Sequence, residues 1–320
     1  MNQKDWTIMI YMAGDNNLSV DMAYAMEQIK DVAGDDTKSI NLFVYYDGSS
    51  KAIPTLYCDF SDPANPRHVR SHMVKNKLYP VDEAANENAA DYRSVLNFVD
   101  WCVNKVRTTQ DGRNGNGRKA KKYALIFSGH SMGFQDIGLF KDESAEVSMG
   151  MKEMNGLLRR ITRTEEDLLR RQTKAKEVLA EEATDSKLDA DIFEGQTTEI
   201  LGQKLDILGF DCCVMGMLEV GNQFRRVAKT MVASEGSVPN AGWTYAKIFG
   251  SLASQPKSKP VTEIVEDFVS EFVKSQDSFT IGGVSVDMAA WDLNKLPTLN
   301  SEFQKLADSL RECFEDEAST

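Results

Sequence analysis

Two short apolar runs, each closing near a glycine and each followed by a reactive side chain, constrain this chain more than any other feature. The first lies in YALIFSGHSMGF, residues 123–134, with His130 just past the run. The second lies in LDILGFDCCVMGMLEV, residues 205–220, with Cys212 and Cys213 just past it. Short apolar runs bounded by turn residues predict buried strands. Two parallel strands ending side by side would bring an imidazole and a thiol to one carboxyl edge of a sheet, where open α/β sheets hold their sites. A thiol is a weak nucleophile until it becomes thiolate, and a neighbouring imidazole can take that proton. The pattern reads as a cysteine–histidine dyad.

The rest of the chain supplies the sheet around it. WTIMIYMA (6–13) predicts a central strand, GDNN a turn, 18–33 an amphipathic helix and NLFVYYD (41–47) a further strand. TLYCDF and RHVRSHMV predict a hairpin or edge strands, and 88–106 a helix. Residues 151–191 are rich in Lys, Arg, Glu and Leu, so a charged helical insert, a solvated hairpin at about 151–200, is expected there. TMVAS (230–234) and GGVSVDMAAW predict strands, and 261–276 and 295–315 helices. Strands alternating with helices predict one α/β domain over 1–320, a three-layer α/β/α sandwich with a mostly parallel sheet.

Composition narrows the function. A net charge of −12 argues against a nucleic-acid groove, which needs a basic footprint. Five cysteines without CxxC spacing argue against a disulfide framework or a zinc site. Cys58, Cys102 and Cys313 are expected to be inert buried thiols. His68 and His72 would lie about 13 Å apart on a strand, too far to share a metal. The N-terminal apolar run is too short to span a membrane and lacks a cleavage site, so no membrane partner is expected. The chain is read as cytoplasmic, or as secreted if a leader precedes it.

GHSMG (129–133) also fits G-x-S-x-G, the nucleophile elbow of serine hydrolases. That fold needs a histidine after the serine, and none follows Ser131 in the sequence. A serine hydrolase acting through Ser131 is therefore the alternative reading.

Taken together, five ordered blocks resemble the clostripain family of cysteine peptidases, relatives of caspases, legumain and gingipains. The blocks are WTIMIYMAGDNNLS, NENAADYRSVLNFVDW, ALIFSGHSMGF, ILGFDCCVMGMLEV and VASEGSVPNAGWTYAKIF. The resemblance implies a caspase-like fold. It places the nucleophile on Cys213 and the catalytic histidine on His130. The residues alone leave Cys212 and Cys213 open, since neighbours on an extended chain face opposite ways. The resemblance also places a specificity aspartate on Asp211, implying cleavage after Arg or Lys. A helix N-cap is the plainer role for that residue. Backbone N–H groups of Cys213 and of Ser131 or Gly133 would hold the oxyanion, and Glu235 and Trp243 would flank the substrate. The family's usual glycine after the histidine is replaced by Ser131, and its tryptophan by Phe134. A non-catalytic peptide-binding relative is the second alternative. The chemistry requires no cofactor, and the resemblance admits calcium without placing a site. The family usually continues with further strands, so a C-terminal region beyond Thr320 is expected. The expected partner is a peptide or protein with a basic residue before the cut bond.

Overall fold

The computed structural model describes residues 4–35, 40–62, 64–75, 77–80, 85–104, 119–135, 138–164, 199–254, 258–276 and 285–318. Five parallel strands form the centre of the sheet. They are β1 (Trp6–Gly14), β2 (Ile40–Gly48), β5 (Lys122–Ser128), β8 (Leu205–Asp211) and β9 (Ala228–Ala233). Three short strands extend its edges in antiparallel pairings: β3 (Leu56–Asp59), β4 (Arg67–Arg70) and β10 (Ala289–Asp292). The strand order is β10-β9-β8-β5-β1-β2-β3-β4. A separate ribbon pairs β6 (Leu139–Asp142) with β7 (Val147–Met149). The mostly parallel sheet of the sequence reading is therefore present, with antiparallel margins.

Alternation along the central strands loads both faces. On β1, Met9, Tyr11 and Ala13 enter one core, while Trp6, Ile8, Ile10 and Met12 enter the other. The first core is covered by α2 (Tyr92–Val103), α3 (Met151–Thr162) and α4 (Leu218–Phe224). The second is covered by α1 (Ser19–Asp35), α5 (Tyr245–Ser254) and α6 (Val261–Gln276). Both faces are closed by helices, as parallel sheets require, and the architecture is a three-layer α/β/α sandwich. A last helix, α7 (Leu296–Ala318), carries Leu299, Phe303, Leu306, Leu310 and Phe314 exposed.

Three expectations are corrected here. The start of the charged insert is not a surface excursion: α3 buries Met154, Leu157, Leu158 and Ile161, and even Arg160 is fully covered. Those apolar positions fall three and four apart, a stripe that the surrounding charge obscures. The remainder of the insert, 165–198, lies outside the described residues. Cys313 is exposed on α7, not buried. The helix after Cys213 begins only at Leu218, with Met217 as its N-cap, so Asp211 is not that cap.

The sheet also sets the location of chemistry. From β1 the chain moves to β2 on one side, then returns to β5 on the other. Strand order thus reverses between β1 and β5, and their carboxyl ends diverge to leave a crevice.

Candidate active site

His130 follows β5 by two residues, and Cys213 follows β8 by two. β5 and β8 pair in parallel, with Ser128 opposite Asp211, so the two side chains leave the same sheet edge at matching depth. Both line one pocket of about 60 Å³, together with Leu18, Asp211, Pro239 and Gly242.

The adjacent thiols separate as alternation requires. Cys212 is 1% exposed, packs into the first core, and its sulfur lies 3.5 Å from the Phe127 carbonyl. Burial pushes its pKa well above the ordinary thiol value, which keeps it protonated and unreactive. Cys213 is partly exposed, and its Sγ accepts the Val238 N–H at 3.4 Å. The same sulfur lies 3.9 Å from the Val238 carbonyl, so this loop holds the thiol at the pocket wall. The next residue, Val214, has φ +51°, a left-handed conformation rarely taken by a β-branched residue. This turn lifts the chain out of the strand direction immediately after the thiol.

His130 Nε2 lies 2.6 Å from Asn17 Oδ1. Burial holds its pKa below the usual imidazole value; Glu143 opposes that shift and Lys141 adds to it. Phe140 donates its N–H to the His130 carbonyl at 3.0 Å, fixing the backbone beside the ring. Asn17 belongs to the turn after β1, which was legible as a turn but carried no signal of contact with the histidine.

Asp211 is 5% exposed and forms part of the pocket lining. Its Oδ2 accepts Tyr245 OH at 2.7 Å and Ser128 Oγ at 3.0 Å, while Oδ1 is buried without a hydrogen-bond partner. Burial raises its pKa to about 6, against those hydrogen bonds and one from the Trp243 backbone N–H, which favour the charged form. Gly242 makes the loop wall possible: its φ is +67°, and a Cβ there would stand 2.6 Å from Asp211 Oδ2.

Ser131 is buried, and its hydroxyl donates to the Cys213 carbonyl. It ties the loop after β5 to the loop after β8. Gly133 has φ +67°, and a Cβ there would meet the Val214 carbonyl at 2.8 Å. No acceptor among the described residues takes the backbone N–H of Ser131, Gly133 or Cys213. Trp243 is fully buried behind the pocket wall, its ring filling the space that Gly209 leaves empty. Glu235 is exposed on the loop after β9 and does not line the pocket.

A model of the clostripain family matches residues 190–320, the stretch that carries Asp211 and Cys213. Clostripain of Hathewaya histolytica is 25% identical over 343 residues, covering 97% of this chain and 57% of its own length. Solved structures agree on the fold. A secreted C11 cysteine protease from Bacteroides thetaiotaomicron, in complex with an irreversible peptide inhibitor, aligns over 93% of this chain and 69% of its own, with TM-score 0.58 and 14% identity. An inactive zymogen C11 protease from Parabacteroides distasonis aligns over 94% and 65%, with TM-score 0.60 and 18% identity. The chain spans 57% of the length of the curated relative it matches.

One cluster lies outside the sequence reading, which placed no metal ligand. Asp15, Asp47 and Asp142 are buried together, with one oxygen of each within 4.8 Å of the others. Burial raises the Asp47 pKa to about 8, and the charges of Asp142, Asp15 and Glu87 add to it. The set is all oxygen and all carboxylate, which suits a hard cation such as calcium.

Proposed function

We propose that this chain is a cysteine endopeptidase that cleaves after Arg or Lys, using Cys213 as nucleophile and His130 as proton donor. One observation carries the reading: Cys213, His130 and Asp211 line a single pocket, and Asp211 keeps a buried carboxylate oxygen without a partner. A cationic side chain entering the pocket supplies the missing donor through a charge-assisted hydrogen bond. The Cys213 thiolate attacks the peptide carbonyl carbon, and the carbonyl oxygen becomes an oxyanion. Backbone N–H groups of Cys213 and of Ser131 or Gly133 are in reserve to hold it. His130 takes up the thiol proton on Nδ1 and passes it to the leaving amine, the C–N bond breaks, and water then hydrolyses the thioester. His130 and Cys213 are each held by other partners, Asn17 and Val238, which suits a histidine serving the leaving group.

The serine reading is disfavoured because the Ser131 hydroxyl is tied to the Cys213 carbonyl. Inhibitors are a direct test. A peptidyl chloromethyl ketone ending in Arg should label wild-type protein at Cys213, with no label in Cys213→Ala. The same reagent ending in Asp should label far more slowly. Labelling at Ser131, or peptide binding without any covalent adduct, overturns the proposal in favour of the serine hydrolase or the pseudo-peptidase respectively.

A further inference from the structure

The last helix, α7, leaves the sandwich with a satisfied polar face and an unsatisfied apolar one. Its first turn is anchored. Leu296 is 2% exposed and packs over Gly221, where an added Cβ would stand 3.2 Å from its Cδ1. Asn222 on α4 and Asn300 on α7 exchange amide hydrogen bonds of 3.2 and 2.6 Å. Beyond that clasp every residue from 301 to 314 is exposed except Asp308, which is half-buried, so the helix projects from the body.

On the polar face the side chains answer one another. Lys305 Nζ lies 2.7 Å from Glu302 Oε1, and Arg311 Nη1 lies 3.5 Å from Asp308 Oδ1. Gln304 Nε2 donates to Asp308 Oδ1 at 3.0 Å. The apolar face carries Leu299, Phe303, Leu306 and Leu310, between 38% and 55% exposed. They fall four, three and four residues apart. That is the 3.5-residue repeat of a coiled-coil seam, narrower than the stripe of a helix lying on a core. Asn300, Ala307 and Ser309, which flank the seam, carry no charge. Most helical stability in a protein comes from burying such a face, so a projecting helix with a bare seam calls for a partner.

We propose that α7 pairs with α7 of a second copy of this chain, antiparallel, in a short two-stranded coiled coil. The seam is complementary to itself about a two-fold axis. With that axis between Gln304 and Lys305, Phe303 meets Leu306 of the second copy and Leu299 meets its Leu310, so each ring packs on a leucine. Glu302 then falls opposite a serine, and no like charges meet across the seam. A parallel pair would stack Phe303 on itself. It would also bring two bodies, each anchored near residue 296, together at a helix separation of about 8–10 Å. The antiparallel pair keeps the bodies at opposite ends. Two phenylalanines at about 150–250 Å² each and six leucines at roughly 100 Å² each bury about 1,000 Å², the lower limit for a specific interface, so the pairing is reversible with a micromolar Kd. Cys313 lies past the last layer and stays accessible.

The seam is also connected to the site. The Asn222–Asn300 clasp ties α7 to α4, which begins at Leu218, just after the turn that carries Cys213. Pairing that orders α7 therefore buttresses the base of that turn. This consequence, unlike the pairing itself, rests on the peptidase reading.

The test uses the full chain with Cys213→Ala, which removes self-cleavage, in sedimentation velocity over a hundredfold concentration range. With the seam intact, the sedimentation coefficient should rise with concentration from monomer to dimer. Phe303→Glu and Leu306→Lys alter exposed positions, so each variant should melt like the parent at concentrations where the parent is monomeric. Each alone should raise the dissociation constant by at least about 30-fold. An equal mixture of the two variants should dimerise again. The antiparallel register sets the new carboxylate against the new ammonium and leaves the second Phe–Leu layer intact. A parent chain that stays monomeric throughout, with the seam bare or covered by another segment of the same chain, overturns the proposal. So does a dimer that survives both substitutions, or a mixture that does not reassociate. Failure of Arg-directed labelling at Cys213 in the wild-type chain, with the dimer intact, instead overturns the peptidase reading alone.

Discussion

Asn17 Oδ1 stands 2.6 Å from His130 Nε2 and joins the turn after β1 to the histidine after β5. An amide oxygen can only accept, so Nε2 carries the hydrogen of this pair and Nδ1 is the basic nitrogen of the neutral ring. The contact spans the crevice where strand order reverses, and it fixes how the ring faces the pocket.

Asn17→Ala is therefore expected to lower kcat by about 10–100-fold with KM changed by less than about twofold, the signature of a misplaced proton donor. Asn17 is exposed, so Tm should barely move. Asn17→Asp keeps an acceptor and adds a charge, which should raise the histidine pKa and shift the corresponding limb of the pH–rate profile upward. Steady-state kinetics across pH with an Arg-terminated fluorogenic peptide checks both. A raised KM with intact kcat would show instead that Asn17 binds substrate.

Asp211 predicts an acid limb. Its carboxyl is raised to about 6 by burial, so in free enzyme it is ionised above that pH and neutral below it. The neutral form cannot pair with a substrate cation. kcat/KM for Arg peptides should fall as pH drops through about 6. Asp211→Asn should flatten this limb and reduce the preference for Arg over Leu by about 10²–10³, the cost of leaving one charge unpaired in a buried site. An unchanged Arg preference in that variant would remove Asp211 from specificity.

What the sequence disclosed depended on how local each signal was. The His130 and Cys213 segments each carry strand, turn and reactive side chain within a dozen residues, and β5 and β8 pair as those signals suggest. The stripe Met154, Leu157, Leu158 and Ile161 was present too, but charge across the longer window masked it. Other features had no local signature. Asn17 meets His130, and Asp15 meets Asp47 and Asp142, only because β1, β2, β5 and β6 end together. Trp243 reads as a pocket aromatic beside a glycine, yet it turns inward because Gly209 on β8 leaves a hole of its size. The exposure of Cys313 follows from an apolar stripe on α7 that packs on nothing among the described residues.

The two adjacent thiols should differ sharply in reactivity. Iodoacetamide at neutral pH should modify Cys213 and the exposed Cys313, while Cys212 stays protected until the protein unfolds. Cys213→Ala should abolish cleavage. Cys212→Ala should retain most of it and lose about 1–2 kcal/mol of stability from the small cavity left beside Phe127. Peptide mapping by mass spectrometry after timed alkylation, alongside activity assays, checks the pair. A dead Cys212→Ala protein that is still folded would shift the nucleophile by one residue and detach Asp211 from its role.

Self-processing, if the enzyme cuts its own insert, should leave α3 intact. Arg159 and Arg160 match the proposed specificity, but both lie within α3, and Arg160 is fully buried against the core. Cleavage requires an extended, accessible backbone, which a packed helix does not offer. Arg170, Arg171, Lys174, Lys176 and Lys187, basic positions of the insert beyond α3, lie outside the described residues. Incubating wild-type and Cys213→Ala proteins side by side, then sequencing the new N-termini, separates the cases. Fragments should begin after one of those five residues in the wild type alone. A cut after Arg159 or Arg160 would mean that α3 opens before processing, and a wild-type chain that stays whole while it cleaves peptides would rule out self-processing in this segment.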